Sequence, residues 1–107
     1  MNNYAWIITR DFLYEEGPSI YMKSNVGTHG PRNTRVDYPS ATPGAMSKDD
    51  VMFRLYDDDD RLYYEGIFRG NWKSEDGFGP LDDFGEPDSG CTRIDYFDPE
   101  TESWETL

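Results

Sequence analysis

Apolar and polar positions in the first half of the chain resolve into one strong element followed by a long unpatterned stretch. Tyr4, Ala5, Trp6, Ile7, Ile8 and Thr9 form a nearly continuous apolar run of strand-favouring residues, which predicts a buried central strand. Residues 11–16 predict a single helical turn with Phe12 and Leu13 inward, stopped by Gly17 and Pro18. From residue 25 to 44 three prolines, three glycines and scattered Asn, Ser and Thr replace any periodic pattern. That composition predicts a long irregular loop, reaching to about residue 50, and loops of this length in small domains commonly carry function.

The second half alternates. Val51, Phe53 and Leu55 share one face of a predicted strand, with Met52, Arg54 and Tyr56 on the other, and residues 62–68 form its antiparallel partner. Asp57, Asp58, Asp59 and Asp60 lie between them as the hairpin turn, a position aspartate suits because its side chain bonds the nearby backbone. Residues 70–90 are acidic and punctuated by Gly70, Gly77, Gly79, Pro80, Gly85 and Pro87, which predicts turns. Thr92, Ile94 and Tyr96 then alternate with Arg93, Asp95 and Phe97 in a third clear strand. Residues 103–107 predict a closing edge strand with Trp104 inward. Together these elements predict a small β-rich domain spanning residues 1–107. Its sheet is mainly antiparallel, of four to five strands with room for one short helix, and α+β is the alternative class.

Composition sharpens this picture. With 107 residues the chain is the size of one domain, and its 36% hydrophobic content leans toward disorder until the 17 aromatics are counted. Against 22 Asp and Glu stand 10 Lys and Arg, a formal charge of −12, which disfavours direct binding to nucleic acid. The charge is uneven: residues 1–50 carry five cations and six acids, residues 51–107 five cations and sixteen acids. No apolar run approaches the ~18 residues of a membrane span, and a basic-then-apolar leader is lacking. A single cysteine fits a reducing compartment. The expectation is a soluble protein of the cytoplasm, the host cytoplasm if phage-encoded, with no membrane partner.

Catalytic and metal chemistry find little to work with. A nucleophile needs a base within reach, and the chain offers one cysteine, Cys91, and one histidine, His29, in an otherwise ordinary Gly-Thr-His-Gly-Pro loop. A buried cysteine and a solvated histidine are the commoner roles. Counted from Asp57, the sixth and twelfth positions of a calcium loop would be Leu62 and Phe68, where glycine and glutamate are required. A cation site of another kind at Asp57 and Asp59, or at Asp82, Asp83 and Asp88, remains the alternative. Gly77, Gly79 and Gly85 sit among acids that repel phosphate. The reading is therefore of a protein that is not an enzyme, with no cofactor.

What is left is recognition. Carboxylates are interleaved with Tyr63, Tyr64, Phe68, Trp72, Phe78, Phe84, Tyr96, Phe97 and Trp104, of which some must be core and others suit a basic protein surface, since aromatics supply contact area and acids supply steering. Tyr63 and Tyr64 are strand neighbours, so at most one faces the core of a one-sided sheet. The residues expected to bind a partner are Asp57, Asp58, Asp59, Asp60, Asp82, Asp83, Glu86 and Asp88, with Tyr64, Trp72 and Phe84 as anchors.

The motifs FRLYDDDD with YYEG after it, PLDDFGEPDSGCT, RIDYF and the terminal WETL resemble a group of short acidic proteins of bacteria and their phages. Leu81, Asp82, Asp83, Phe84, Gly85, Pro87, Gly90, Cys91 and Thr92 carry most of the likeness, which covers about half the chain. Where that group often has a glycine in the hairpin turn, this chain has a fourth aspartate. The resemblance implies a small β-rich domain of phage or mobile-element origin and brings no catalytic residues. Size, charge and this likeness together suggest a non-enzymatic inhibitor of the anti-CRISPR or anti-restriction type. Such an inhibitor acts as a DNA mimic on the basic, nucleic-acid-binding surface of a host defence complex. The alternative is a structural or regulatory β-domain that binds a divalent cation through its Asp-rich loops.

Overall fold

The computed structural model describes residues 1–17, 22–42 and 44–107. Six strands form one antiparallel sheet in the order β2-β1-β4-β3-β5-β6. The strands are β1 (Ala5–Asp11), β2 (His29–Gly30), β3 (Asp50–Tyr56), β4 (Leu62–Arg69), β5 (Arg93–Asp98) and β6 (Ser103–Thr106). The sheet is β-rich and antiparallel, as the alternating pattern predicts, with β3 and β4 paired from Asp50↔Arg69 to Tyr56↔Leu62. The sixth strand is β2, two residues long, which sits inside the expected loop and pairs with Trp6 and Ile7. Two residues leave no periodicity to read. The short helix α1 (Phe12–Glu16) is capped by Asp11, whose Oδ1 accepts the Tyr14 N–H at 3.0 Å. The same carboxylate is buried and its Oδ2 accepts the Asn25 N–H at 3.0 Å, so one side chain ends β1 and anchors the loop at residue 25.

The largest departure from expectation is the segment 75–89, which is helical rather than a series of turns. It runs as a 3-10 turn (Glu75–Phe78), a wide π turn (Leu81–Gly85) and α2 (Glu86–Ser89). Its glycines and prolines punctuate the sequence like turns, but tertiary packing gives them other work. A Cβ at Gly79 would fall 2.2 Å from the Tyr4 ring, so the absence of a side chain lets the segment lie directly on the sheet. Pro87 occupies the first turn of α2, where its missing N–H costs nothing. Gly90 closes the helix at φ +71°, donating its N–H to the Glu86 carbonyl at 3.0 Å.

This segment covers one face of the sheet and the core lies between them. Tyr4, Trp6 and Ile8 of the β1 region, Val51, Phe53 and Leu55 of β3, Tyr64 and Phe68 of β4, and Ile94 and Tyr96 of β5 meet Leu81 and Phe84 from the helical cover and Cys91 just beyond it. Rings interlock: Phe84 lies 4.9 Å from Tyr64 and 5.7 Å from Trp6, and Tyr96 lies 5.4 Å from Phe68. The buried Tyr96 hydroxyl donates to the Gly77 carbonyl at 2.7 Å and so fastens β5 to the cover. Aromatic area thus offsets the low hydrophobic fraction.

β6 forms the expected edge strand, but Trp104 does not face the core. It pairs with Phe97 on the opposite face of the sheet, where the Arg54 guanidinium lies 4.1 Å from its ring and 2.9 Å from Glu65. Register decides this: Phe97 alternates with the buried Tyr96, and a residue opposite Phe97 must share its side. Met52 and Ile67 lie on that same outer face, with Ala41 and Met46 of the long loop beside them.

Candidate protein-binding face

The helical cover places its small and apolar residues inward and its acids outward. Gly77, Gly79, Pro80, Leu81, Phe84 and Gly85 are buried, whereas Glu75, Asp82, Asp83, Glu86 and Asp88 are exposed and Asp76 half-exposed. No Lys, Arg or His occurs between Lys73 and Arg93. Ion pairing elsewhere uses a different set of acids. Arg10 pairs with Glu15, Arg54 with Glu65, Arg61 with Glu16, Arg69 with Asp50, Lys73 with Asp98, and Arg93 with Asp60 and Asp95. Among the described residues none of the six acids of the cover forms an ion pair, so their charge is uncompensated.

The β3–β4 hairpin tip adjoins this surface. The Thr92 N–H donates to the Tyr56 carbonyl at 2.8 Å, and the Tyr64 hydroxyl lies 2.6 Å from Ser89 Oγ at the end of α2. Asp57 works within the tip: its Oδ1 accepts the N–H groups of Asp59 and Arg61 at 2.9 and 2.8 Å. The backbone bond from Arg61 is the main reason its carboxyl is held below the usual aspartate value. Asp57, Asp58 and Asp59 can bring one carboxylate oxygen each within 4.8 Å of one another, and Asp57 Oδ1 also holds the turn. Asp60 differs from its neighbours, because Arg93 claims it.

The aromatic anchors expected from the sequence are elsewhere. Tyr64 and Phe84 are 2% exposed and belong to the core, which removes both as contact residues. Strand alternation turns Tyr64 inward, and helical packing does the same for Phe84. Trp72 is half-buried and stacked on Tyr96 at 5.2 Å, with Lys73 Nζ 5.3 Å from its ring. It lines a cavity of about 550 Å³ together with Lys48, Asp49, Asp50 and Arg69, two cations and two anions. The aromatic that does stand out among the acids is Phe78, 40% exposed between Asp76 and Asp82 in the chain. Its neighbours Gly77 and Gly79 are the buried positions, which turns Phe78 outward, and only the close approach of the cover to the sheet reveals this.

Asp83 has a second duty. Its Oδ2 accepts both the Tyr4 hydroxyl at 2.9 Å and the Trp6 indole N–H at 3.0 Å, so the cover is tied to β1 by a carboxylate that remains exposed. Burial, then the bond to Asp83, pushes the Tyr4 hydroxyl well above its ordinary value.

Cys91 and His29 do not form a dyad. Cys91 is fully buried, and burial pushes its thiol up to about 12, with the charge of Asp57 adding to the effect. His29 Nδ1 lies 3.0 Å from the Gly27 carbonyl, its ring is 4.5 Å from that of Tyr38, and no hydrogen bond joins it to Cys91. No helix among the described residues is long and apolar enough to cross a membrane. Comparison with protein-family models, with curated proteins and with solved structures finds no match to this chain.

Proposed function

We propose that this protein is a non-enzymatic acidic inhibitor whose helical cover and adjoining hairpin tip dock on the basic, nucleic-acid-binding surface of a host defence complex. The observation that carries the reading is the set of six carboxylates between residues 75 and 88, none in an ion pair among the described residues, on a segment fastened to the sheet through its buried side. Six carboxylates fall within these fourteen residues with no basic residue among them. A receptor built to hold a strand of phosphates meets a concentrated negative field here, and the field accelerates encounter at low salt. Phe78 supplies exposed aromatic area within that field. The choice of a defence complex rests on size, charge and the likeness to short acidic phage proteins.

The test is capture of partners from cells that carry restriction and CRISPR systems, at about 50 mM and about 200 mM salt, with and without competing duplex DNA. The expected partner is a nucleic-acid-binding protein that salt and DNA both displace. A Glu75→Gln, Asp76→Asn, Asp82→Asn, Glu86→Gln variant should lose it mainly through slower association. A partner retained by that variant at both salt concentrations would remove the reading.

A further inference from the structure

The sheet edge next to the acidic cover contains a groove of about 310 Å³, between β2 with its flanking residues and the π turn and α2 of the cover. The cover side carries Asp83 and Asp88, the β2 side His29 and Arg32, and Trp6 also lines it. This volume lies at the lower limit of small-molecule sites, too small for a cofactor and adequate for one long side chain. Its charges face each other without touching: among the described residues neither Arg32, Asp83 nor Asp88 is in an ion pair.

Asp83 distinguishes this place from the rest of the acidic surface. Tyr4 and Trp6 both donate to its Oδ2 and both are buried, so the carboxylate is fixed in orientation by two rings that cannot move independently of the core. Its Oδ1 has no hydrogen-bond partner among the described residues and is the oxygen left for an incoming donor. An acceptor already immobilised loses little further freedom on binding, unlike an ordinary exposed glutamate. Asp88 offers a second acceptor on the same wall.

We propose that this groove receives an arginine side chain of the protein partner, its guanidinium shared between Asp83 Oδ1 and the Asp88 carboxylate. The proposal rests on the reading of the cover as a docking face and names the contact that orients it. A guanidinium spreads five N–H donors over a rigid plane and is weakly hydrated, so it can serve two carboxylates at once; a lysine ammonium is a compact, strongly hydrated point charge. Arg32 on the far wall repels the incoming cation and confines it to the carboxylate side, so it sets position at some loss of affinity.

The Trp6 indole N–H reports directly on Asp83 and makes the test site-specific. Titration of the intact ¹⁵N-labelled protein with acetyl-Gly-Arg-Gly-amide should shift the Trp6 indole resonance saturably. The lysine counterpart should bind about threefold or more weakly. Asp88→Asn should weaken the arginine probe about fivefold or more, and Arg32→Gln should strengthen it, opposite effects that misfolding would not produce. An unmoved Trp6 resonance, or equal binding by wild type and Asp88→Asn, overturns the arginine seat. If the seat fails while the captured partner still depends on the acids of the cover, the docking reading survives. If the peptide binds as described while the four-residue variant keeps its partner, the groove stands and the wider reading falls.

Discussion

The Arg69 guanidinium grips the Asp50 carboxylate along one edge, with Nε 2.7 Å from Oδ1 and Nη2 3.1 Å from Oδ2, at the cross-strand pair that opens β3 against β4. The Asp50 side chain has no exposed surface, and Arg69 Nη1 also donates to the Asp37 carbonyl at 3.1 Å. This pair therefore joins two strands and the long loop. Arg69→Ala leaves the Asp50 carboxylate with its Ser47 donor alone and should destabilise the protein by about 2 kcal/mol. Adding Asp50→Asn to Arg69→Ala should restore part of the loss. Urea denaturation of the two single variants and the double variant measures both effects.

The same pair gives a pH dependence of known sign. Burial alone would raise the Asp50 carboxyl, but the hydrogen bonds from Arg69 and Ser47 outweigh it and hold the group below its ordinary value. The folded value thus lies under the unfolded one, so the unfolded chain takes up the proton first as pH falls. The contribution is fully present above the ordinary aspartate pKa of about 3.9 and is lost as pH falls through the lower folded value. The stability gap between wild type and Asp50→Asn should be constant from neutral pH to about pH 5, then shrink below about pH 4. The remaining carboxylates titrate in both proteins and largely cancel in the difference.

Asp83 should prove to be a structural tie as well as a surface charge. Asp83→Ala leaves the Tyr4 hydroxyl and the Trp6 indole N–H without their acceptor, and both side chains are buried. The expected loss is about 2 kcal/mol. Asp83→Asn retains a carbonyl oxygen and should lose less than half as much. Chemical denaturation separates the two, whereas equal losses would mean that negative charge rather than hydrogen bonding matters here.

Cys91 should be inert in the folded protein. It is fully buried against Gly85, and its thiol is pushed up to about 12, so thiolate is scarce at neutral pH. A chromogenic disulfide reagent should react with less than a tenth of the chain on a timescale of minutes under native conditions, and with one thiol per chain in guanidinium. Rapid native reaction would reopen a nucleophilic role for this residue.

The Asp57 turn offers a further check on the hairpin. Asp57 Oδ1 accepts the N–H groups of Asp59 and Arg61, whereas the Asp58 side chain accepts none among the described residues. Asp57→Ala should therefore destabilise by about 1 kcal/mol, and Asp58→Ala should change stability by less than about 0.5 kcal/mol. Paired thermal melts of the two variants decide it.

Alternation at Val51, Phe53 and Leu55 and at Ile94 and Tyr96 was enough to determine the inner face of β3 and β5, because a period of two leaves one choice of side once the face is apolar. The acidity of residues 75–88 was equally plain, since charge is a property of composition. Three things were decided only by the assembled fold. Gly79 and Pro80 read as breakers until the Tyr4 ring lies against the segment and makes a residue without a side chain necessary there. Tyr64, Phe84 and Phe78 are alike as residues in acidic surroundings, and only packing buries the first two and exposes the third. Strand register sets Arg54 beside Glu65 and Arg69 beside Asp50, and among the described residues the acids of the cover are left without an ion pair. A chain fixes which groups it carries and their local periodicity, whereas contact between residues far apart in sequence depends on which surfaces the core brings together.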